Sequence, residues 1–166
     1  DMAPAARRDF KRFLADHELE IVTLNMPNVD LNVAAAAAEM RAYSLALLEG
    51  VVGLAGDLEV PGVVIGPGKS NPLMPAPRER LIGHFRDALD VLVPLADAAG
   101  TALWVENMPF AFLPGADEMM RVIEDYGDDR LGVVYDLANG AFIEEDLGEG
   151  LRRVEKCLKL VHLSDT

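Results

Sequence analysis

The feature that most constrains this chain is a rhythm. Short apolar, β-branched runs alternate with longer stretches whose apolar residues recur at helical spacing. The short runs fall at residues 20–24, 63–65, 102–105, 131–135 and 160–163. Parallel strands cannot be joined by a tight turn and need a crossover, so strands alternating with helices argue for a parallel sheet. The runs are apolar at successive positions, as strands covered on both faces are. A closed barrel and an open doubly wound sheet share this rhythm, and periodicity does not choose between them.

The helical stretches carry their own boundary signals. Residues 5–16 read as a helix leading into the first strand. Residues 32–50 follow Asp30 and Asn32, either of which could serve as an N-cap, and end at a glycine. Their alanine run at 34–38 reads as helix former. Residues 78–99 place Leu81, Phe85, Leu89 and Leu92 on one face, with a kink expected at Pro94 and a stop at Gly100. Residues 116–126 and 149–158 are shorter versions, the second with Cys157 packed near its end.

What terminates the strands points to chemistry. Leu103-Trp104-Val105 runs into Glu106-Asn107; Val133-Val134-Tyr135 into Asp136, with Asn139 three positions on; Leu160-Val161 into His162. Singly, each is ordinarily a solvated loop residue, a helix cap or a hydrogen-bonded histidine, and Asn107 and Asn139 are ordinarily turn residues. Three successive strands delivering Glu, Asp and His to one rim is a different matter, because in βα folds the functional rim lies at the C-terminal strand ends. Two carboxylates and an imidazole make a plausible site for a divalent cation such as Mn, Mg, Co or Zn, with room left for substrate oxygens.

Composition excludes more than it selects. With 15 Lys+Arg against 28 Asp+Glu, a net charge of −13 and no basic run, the chain is a poor nucleic-acid binder. No apolar run approaches the roughly 20 residues that span a bilayer. A single cysteine among 166 residues permits no internal disulfide, and residues 1–12 hold no apolar secretory core, so a cytoplasmic setting is expected. A homo-oligomer is compatible with all of this.

Val105-Glu106-Asn107, Tyr135-Asp136-Leu137-Ala138-Asn139 and Val161-His162-Leu163-Ser164-Asp165-Thr166 resemble successive motifs of the xylose isomerase-like superfamily. Asn25-Met26-Pro27-Asn28-Val29-Asp30-Leu31-Asn32 and Ile65-Gly66-Pro67-Gly68 extend the resemblance upstream, so it covers nearly the whole chain. It implies an α/β fold, a partial TIM (β/α)8 barrel of about five parallel strands, spanning residues 1–166 as a single domain. By the same resemblance the run at 20–24 corresponds to the third strand, so the first, second and eighth are expected to be absent. A full barrel takes about 250 residues.

The resemblance implies roles as well. Glu106, Asp136 and His162 become the metal ligands of the fifth, sixth and seventh strands, and Glu106 doubles as one acid/base. The family usually adds a fourth ligand, a Glu on the eighth strand. Many relatives place a substrate-binding His three residues after the sixth-strand Asp, where this chain has Asn139. Asn139, Asn107 and Lys69 are the expected substrate-binding residues, Lys69 toward a phosphate or carboxylate from the Gly66-Pro67-Gly68-Lys69-Ser70-Asn71 loop. Phe110 and Phe112, between Pro109 and Pro114, are expected to form a lid, and Trp104 to pack in the core.

The implied activity is metal-dependent isomerisation or epimerisation of a sugar or sugar phosphate through an enediolate. An inosose dehydratase-like lyase on the same metal framework is the alternative, and so is a non-catalytic barrel fragment. Phosphodiester hydrolysis of the endonuclease IV type needs several metal-binding histidines. Beyond His162 the chain has only His17, ahead of the first strand, and His84, inside a helix.

Overall fold

A computed structural model describes residues 2–26 and 30–164. Its strands are β1 (Leu24–Asn25), β2 (Gly62–Ile65), β3 (Ala102–Glu106), β4 (Leu131–Asp136) and β5 (Leu158–His162). The helices are α1 (Pro4–Asp16), α2 (Ala38–Asp57), α3 (Arg78–Ala99), α4 (Ala116–Tyr126), α5 (Leu137–Phe142) and α6 (Leu147–Val154). The strands form one parallel sheet in the order β1-β2-β3-β4-β5. Each pairs with its predecessor and the order never doubles back, which a doubly wound sheet would require. The sheet is half of a (β/α)8 barrel.

Side-chain alternation along the strands separates two faces. Val63, Ile65, Leu103, Val105, Val133 and Tyr135 point to the helices and join the main core with Leu48, Val52, Phe85, Leu89 and Met119. Val64, Trp104 and Val134 form a separate cluster on the inner face, flanked by Ala102 and Leu160. Trp104 is therefore packed as expected, 7% exposed, on the barrel side. It fits because two neighbouring strands carry glycine there. A Cβ on Gly62 would lie 2.1 Å from Trp104 Cε2, and one on Gly132 would lie 2.9 Å from Cδ1.

α3 and α4 run over the expected residues and stop at glycines in the left-handed region, Gly100 at φ 72° and Gly127 at φ 72°. α3 continues through Pro94. Elsewhere the boundaries differ for physical reasons. β1 is shorter and later than 20–24: continued back from Leu24↔Val63, the register sets Val22 against Pro61, which has no N–H for the ladder. β5 begins earlier, at Leu158, because a register shift at Val133/Val134 lets both Leu158 and Leu160 pair. Cys157 thus lies in the turn before β5 rather than on a helix, where its carbonyl accepts from Val133 N–H at 2.8 Å.

The largest correction concerns the alanine run. α2 starts only at Ala38, and neither Asp30 nor Asn32 caps it. Asn32 Oδ1 instead accepts from Ala34 N–H at 3.0 Å and holds a turn. Ala34 is buried because the chain at Gly68 presses on it; a Cβ on Gly68 would lie 2.7 Å from Ala34 Cβ. Small size, not helix propensity, suits Ala34 to its place. At its other end α2 runs past Gly50 to Asp57, and Gly56 lets α3 approach, since a Cβ there would stand 2.9 Å from Ala99 Cβ.

Candidate metal centre

On the inner face Trp104 is followed two residues on by Glu106, Val134 by Asp136, and Leu160 by His162, so all three polar residues end their strands on one side. The register brings Asp136 opposite His162. His162 Nδ1 lies 2.9 Å from Glu106 Oε1 and 3.7 Å from Asp136 Oδ2. One imidazole nitrogen thus faces both carboxylates. The candidate ligand atoms of the three residues all lie within 4.8 Å of one another, and among the described residues these three form the group able to hold a metal ion. The donor set fits a divalent ion: one nitrogen and two hard, anionic oxygens from a rigid scaffold.

The surroundings position the two candidate carboxylate ligands. Asp136 is the N-cap of α5, a short helix absent from the reading of the sequence, and its Oδ1 accepts from Asn139 N–H at 2.8 Å. That leaves Oδ2 turned toward His162. Asn107 was expected to meet substrate, but it is fully buried. Its Oδ1 accepts from Asp136 N–H at 2.7 Å and its Nδ2 donates to Asp136 C=O at 3.0 Å. The side chain therefore bridges the ends of β3 and β4 and holds Glu106 and Asp136 in register. Asn139 Nδ2 donates to Asn107 C=O at 2.9 Å and completes the bridge.

Beside the triad, and adjoining it through Asn139, is a cavity of 340 Å³. Leu31, Met108, Pro109 and Phe110 give it apolar walls, and Lys69 and Asn139 supply its polar side chains. Glu106, Asp136 and His162 do not themselves line it. Two of the three expected substrate-binding residues, Lys69 and Asn139, are thus brought to one wall-to-wall space, and Asn107 is not. Phe110 stands 72% exposed at the cavity edge, its ring against Phe142 at 5.5 Å. Phe112 does not share that part: it is buried against Phe85.

A family model described as xylose isomerase-like TIM barrel matches residues 1–166. The chain belongs to this family. Among solved structures, a D-tagatose 3-epimerase-like protein superposes with TM-score 0.87 at 20% identity, over 99% of this chain and 63% of that one. A 3-keto-D-glucoside 4-epimerase from E. coli gives 0.84 at 18% identity, over 98% and 65%. An IOLI protein with a bound zinc atom gives 0.81 at 18%, over 97% and 57%. The chain spans less than two thirds of the length of these structures, and at such identities the likeness is one of fold. A search of curated proteins by sequence finds no match. Among the described residues no helix is long and apolar enough to cross a membrane.

Within this family scaffold Glu106 is electrostatically unusual. Burial pushes its carboxyl above the ordinary glutamate value, the hydrogen bond and charge of His162 oppose the shift, and Asp136 adds to it. Because the folded carboxyl holds its proton more tightly than the unfolded one, its ionisation costs stability as pH rises from 4.5 through the folded value. Glu106→Gln should therefore raise the melting temperature of the metal-free protein at pH 7. The gain should vanish near pH 4, where both forms are neutral. Thermal melts at the two pH values check this, and an equal effect at both would contradict the burial argument.

His17 and His84 stay apart from the triad. His17 caps the end of α1 with its ring on Phe13 at 4.1 Å, and His84 sits within α3, 3.8 Å from Asp87. The reading of the sequence missed Asn32 as anything but a cap, and of the cavity wall at Met108-Pro109-Phe110-Ala111 it named Phe110 but not Met108 or Ala111. The first carried no signal beyond its residue type, whereas two prolines flanking apolar residues after β3 marked the second as an ordered loop.

Proposed function

We propose that this chain carries metal-holding and proton-transferring residues of a sugar or sugar phosphate isomerase or epimerase. The observation that carries the reading is the convergence of Glu106, Asp136 and His162, on three successive strands, around one imidazole nitrogen. The family match and the fold shared with sugar epimerases support it, and so does the zinc in a neighbour of the same fold. A divalent ion held by the three side chains would polarise a substrate carbonyl and acidify the adjacent C–H.

The protein's own residues do the rest. Glu106, buried and with its proton affinity raised, is placed to take a proton from the carbon beside the carbonyl and hold it at a carboxylate oxygen. Removing that proton leaves an enediolate. Returning it from Glu106 to the neighbouring carbon isomerises the sugar, whereas inverting the centre needs a second acid on the opposite face, the role the resemblance gives to a Glu of the eighth strand. Asn107 keeps Glu106 and Asp136 in register, and Asn139 borders the space where the rest of the sugar lies. The cavity is small and largely apolar, suited to one face of a sugar and to limiting water.

The test is exchange of substrate hydrogen with solvent. The full-length protein, loaded with Mn²⁺ and given free and phosphorylated pentuloses and hexuloses in D₂O, should place deuterium on the carbon next to the carbonyl. No incorporation across that panel would rule out proton transfer of this kind.

A further inference from the structure

Both oxygens of one carboxylate are spent on joining the two segments that flank the cavity. The first segment follows β3: it supplies the wall residues Met108, Pro109, Phe110 and Ala111 and ends at Gly115, where α4 begins. The second is α5, which is capped by Asp136 and carries Asn139 on the cavity wall. α5 ends in a turn at Glu144, whose φ of +59° lies in the left-handed region, and Glu145 N–H donates back to Gly140 C=O at 3.0 Å. Past that turn Glu145 is half-buried. Its Oε1 accepts from Ala116 N–H at 2.7 Å, and its Oε2 accepts from Tyr135 O–H at 2.7 Å.

Each bond meets a need that nothing nearer in the chain meets. Gly115, the N-cap of α4, has no side chain with which to cap the helix, and Glu145 does so from 29 residues away. A carboxylate also suits the positive end of the helix dipole. Tyr135 is fully buried directly before Asp136 on β4, so its hydroxyl needs an internal partner. Glycines on three separate segments make room for the pair. A Cβ on Gly115 would stand 3.2 Å from Glu145 Oε1, and one on Gly140 or Gly150 would stand 2.9 Å or 2.1 Å from Tyr135 Oη.

The loop after β3 and α5 also meet at Asn139 Nδ2 on Asn107 C=O, and at the rings of Phe110 and Phe142. Both rings are exposed. Asn139 thus joins the two segments where they start, Glu145 joins them where they end, and the cavity wall lies between. We infer that Glu145 is a positioning residue, which holds the loop after β3 against α5 and so fixes the wall that substrate fits, without touching the metal centre. This rests on the isomerase/epimerase reading. Glu106, Asp136 and His162 are set by their strands and by Asn107, so substrate fit and metal affinity separate.

The experiment compares the full-length protein with its Glu145→Ala, Glu145→Gln and Tyr135→Phe variants in two readouts. The first is amide hydrogen exchange of the Mn²⁺-loaded protein. Glu145→Ala should speed exchange about tenfold or more at residues 116–118 and 139–145, as loss of bonds to a charged group allows, and leave α3 unchanged. A variant that is merely less stable would speed α3 as well. Glu145→Gln keeps an acceptor for Ala116 N–H and should restore most of the wild-type pattern. Tyr135→Phe keeps the cap and should speed the α5 amides alone, which keeps the test decisive if Glu145→Ala does not fold.

The second readout is exchange of carbon-bound hydrogen in D₂O with the ketose panel above. In Glu145→Ala, KM should rise about tenfold while kcat and Mn²⁺ affinity stay close to wild type, and Glu145→Gln should reverse the rise. Unchanged amide exchange in Glu145→Ala overturns the inference, and so does a loss of Mn²⁺ affinity in step with the rise in KM. A wild type that exchanges no ketose removes the isomerase reading instead, and the amide pattern then decides whether Glu145 couples the two segments.

Discussion

If the proposed function holds, Glu106→Gln in the full-length protein is expected to lower turnover by about 10²- to 10⁴-fold, the contribution of a positioned acid/base. The substitution keeps the size and polar atoms of the side chain, which is 5% exposed and 2.9 Å from His162 Nδ1. The loss would therefore come from the missing carboxylate, as proton acceptor and as candidate ligand, rather than from collapse of the site. It should be accompanied by the higher melting temperature at pH 7 described above. A protein made more stable and far less active by one isosteric change is the signature of a residue held in place against its own solvation. Steady-state kinetics on wild type and variant settle the matter. Turnover within a few-fold of wild type would remove Glu106 from the proton-transfer step.

Gly62→Val is expected to destabilise the protein by at least about 3 kcal/mol, the upper part of the range for overpacking a core. The new Cβ would begin 2.1 Å from Trp104 Cε2. The indole has no retreat toward β4, because Gly132 already lies under its other edge. Trp104 and Glu106 are alternate residues on the same face of β3, so a displaced indole would also disturb the strand end that carries the carboxylate. Urea unfolding of the single variant gives the loss. Trp104→Leu in the same chain should restore part of it, since the smaller side chain vacates the contact. Additive losses in the double variant would mean that the two residues do not meet as described.

How much of this was legible in the sequence depended on whether local chemistry or a distant partner decided each feature. α3 and α4 could be bounded because their ends are local: apolar spacing inside, and Gly100 and Gly127 where the chain must turn left-handed. The rim residues could be read because strand, then polar residue, recurred in order at Glu106, Asp136 and His162. The start of α2 could not be read, because it depends on Asn32 finding Lys69, 37 residues away, rather than capping the helix beside it. Nor could the part played by Asn107, since its bonds reach 29 residues along the chain to Asp136. β5 was placed late because nothing local announces the register shift opposite Val133 and Val134. Fold class and the candidate ligand triad thus rest on repetition along the chain, whereas the supporting shell rests on contacts that only folding creates.

The most direct test of the metal centre is titration of the metal-free full-length protein with Mn²⁺ by calorimetry, together with its Glu106→Ala, Asp136→Ala and His162→Ala variants. The expected result is binding to the wild type that is lost or greatly weakened in each variant, with all four proteins still folded by circular dichroism. Removing a ligand costs part of the coordination shell, whereas removing an ordinary ion-pair partner would leave metal affinity untouched. Unchanged Mn²⁺ affinity in the variants, or no binding by a folded wild type, would contradict the assignment of these three side chains as a metal centre.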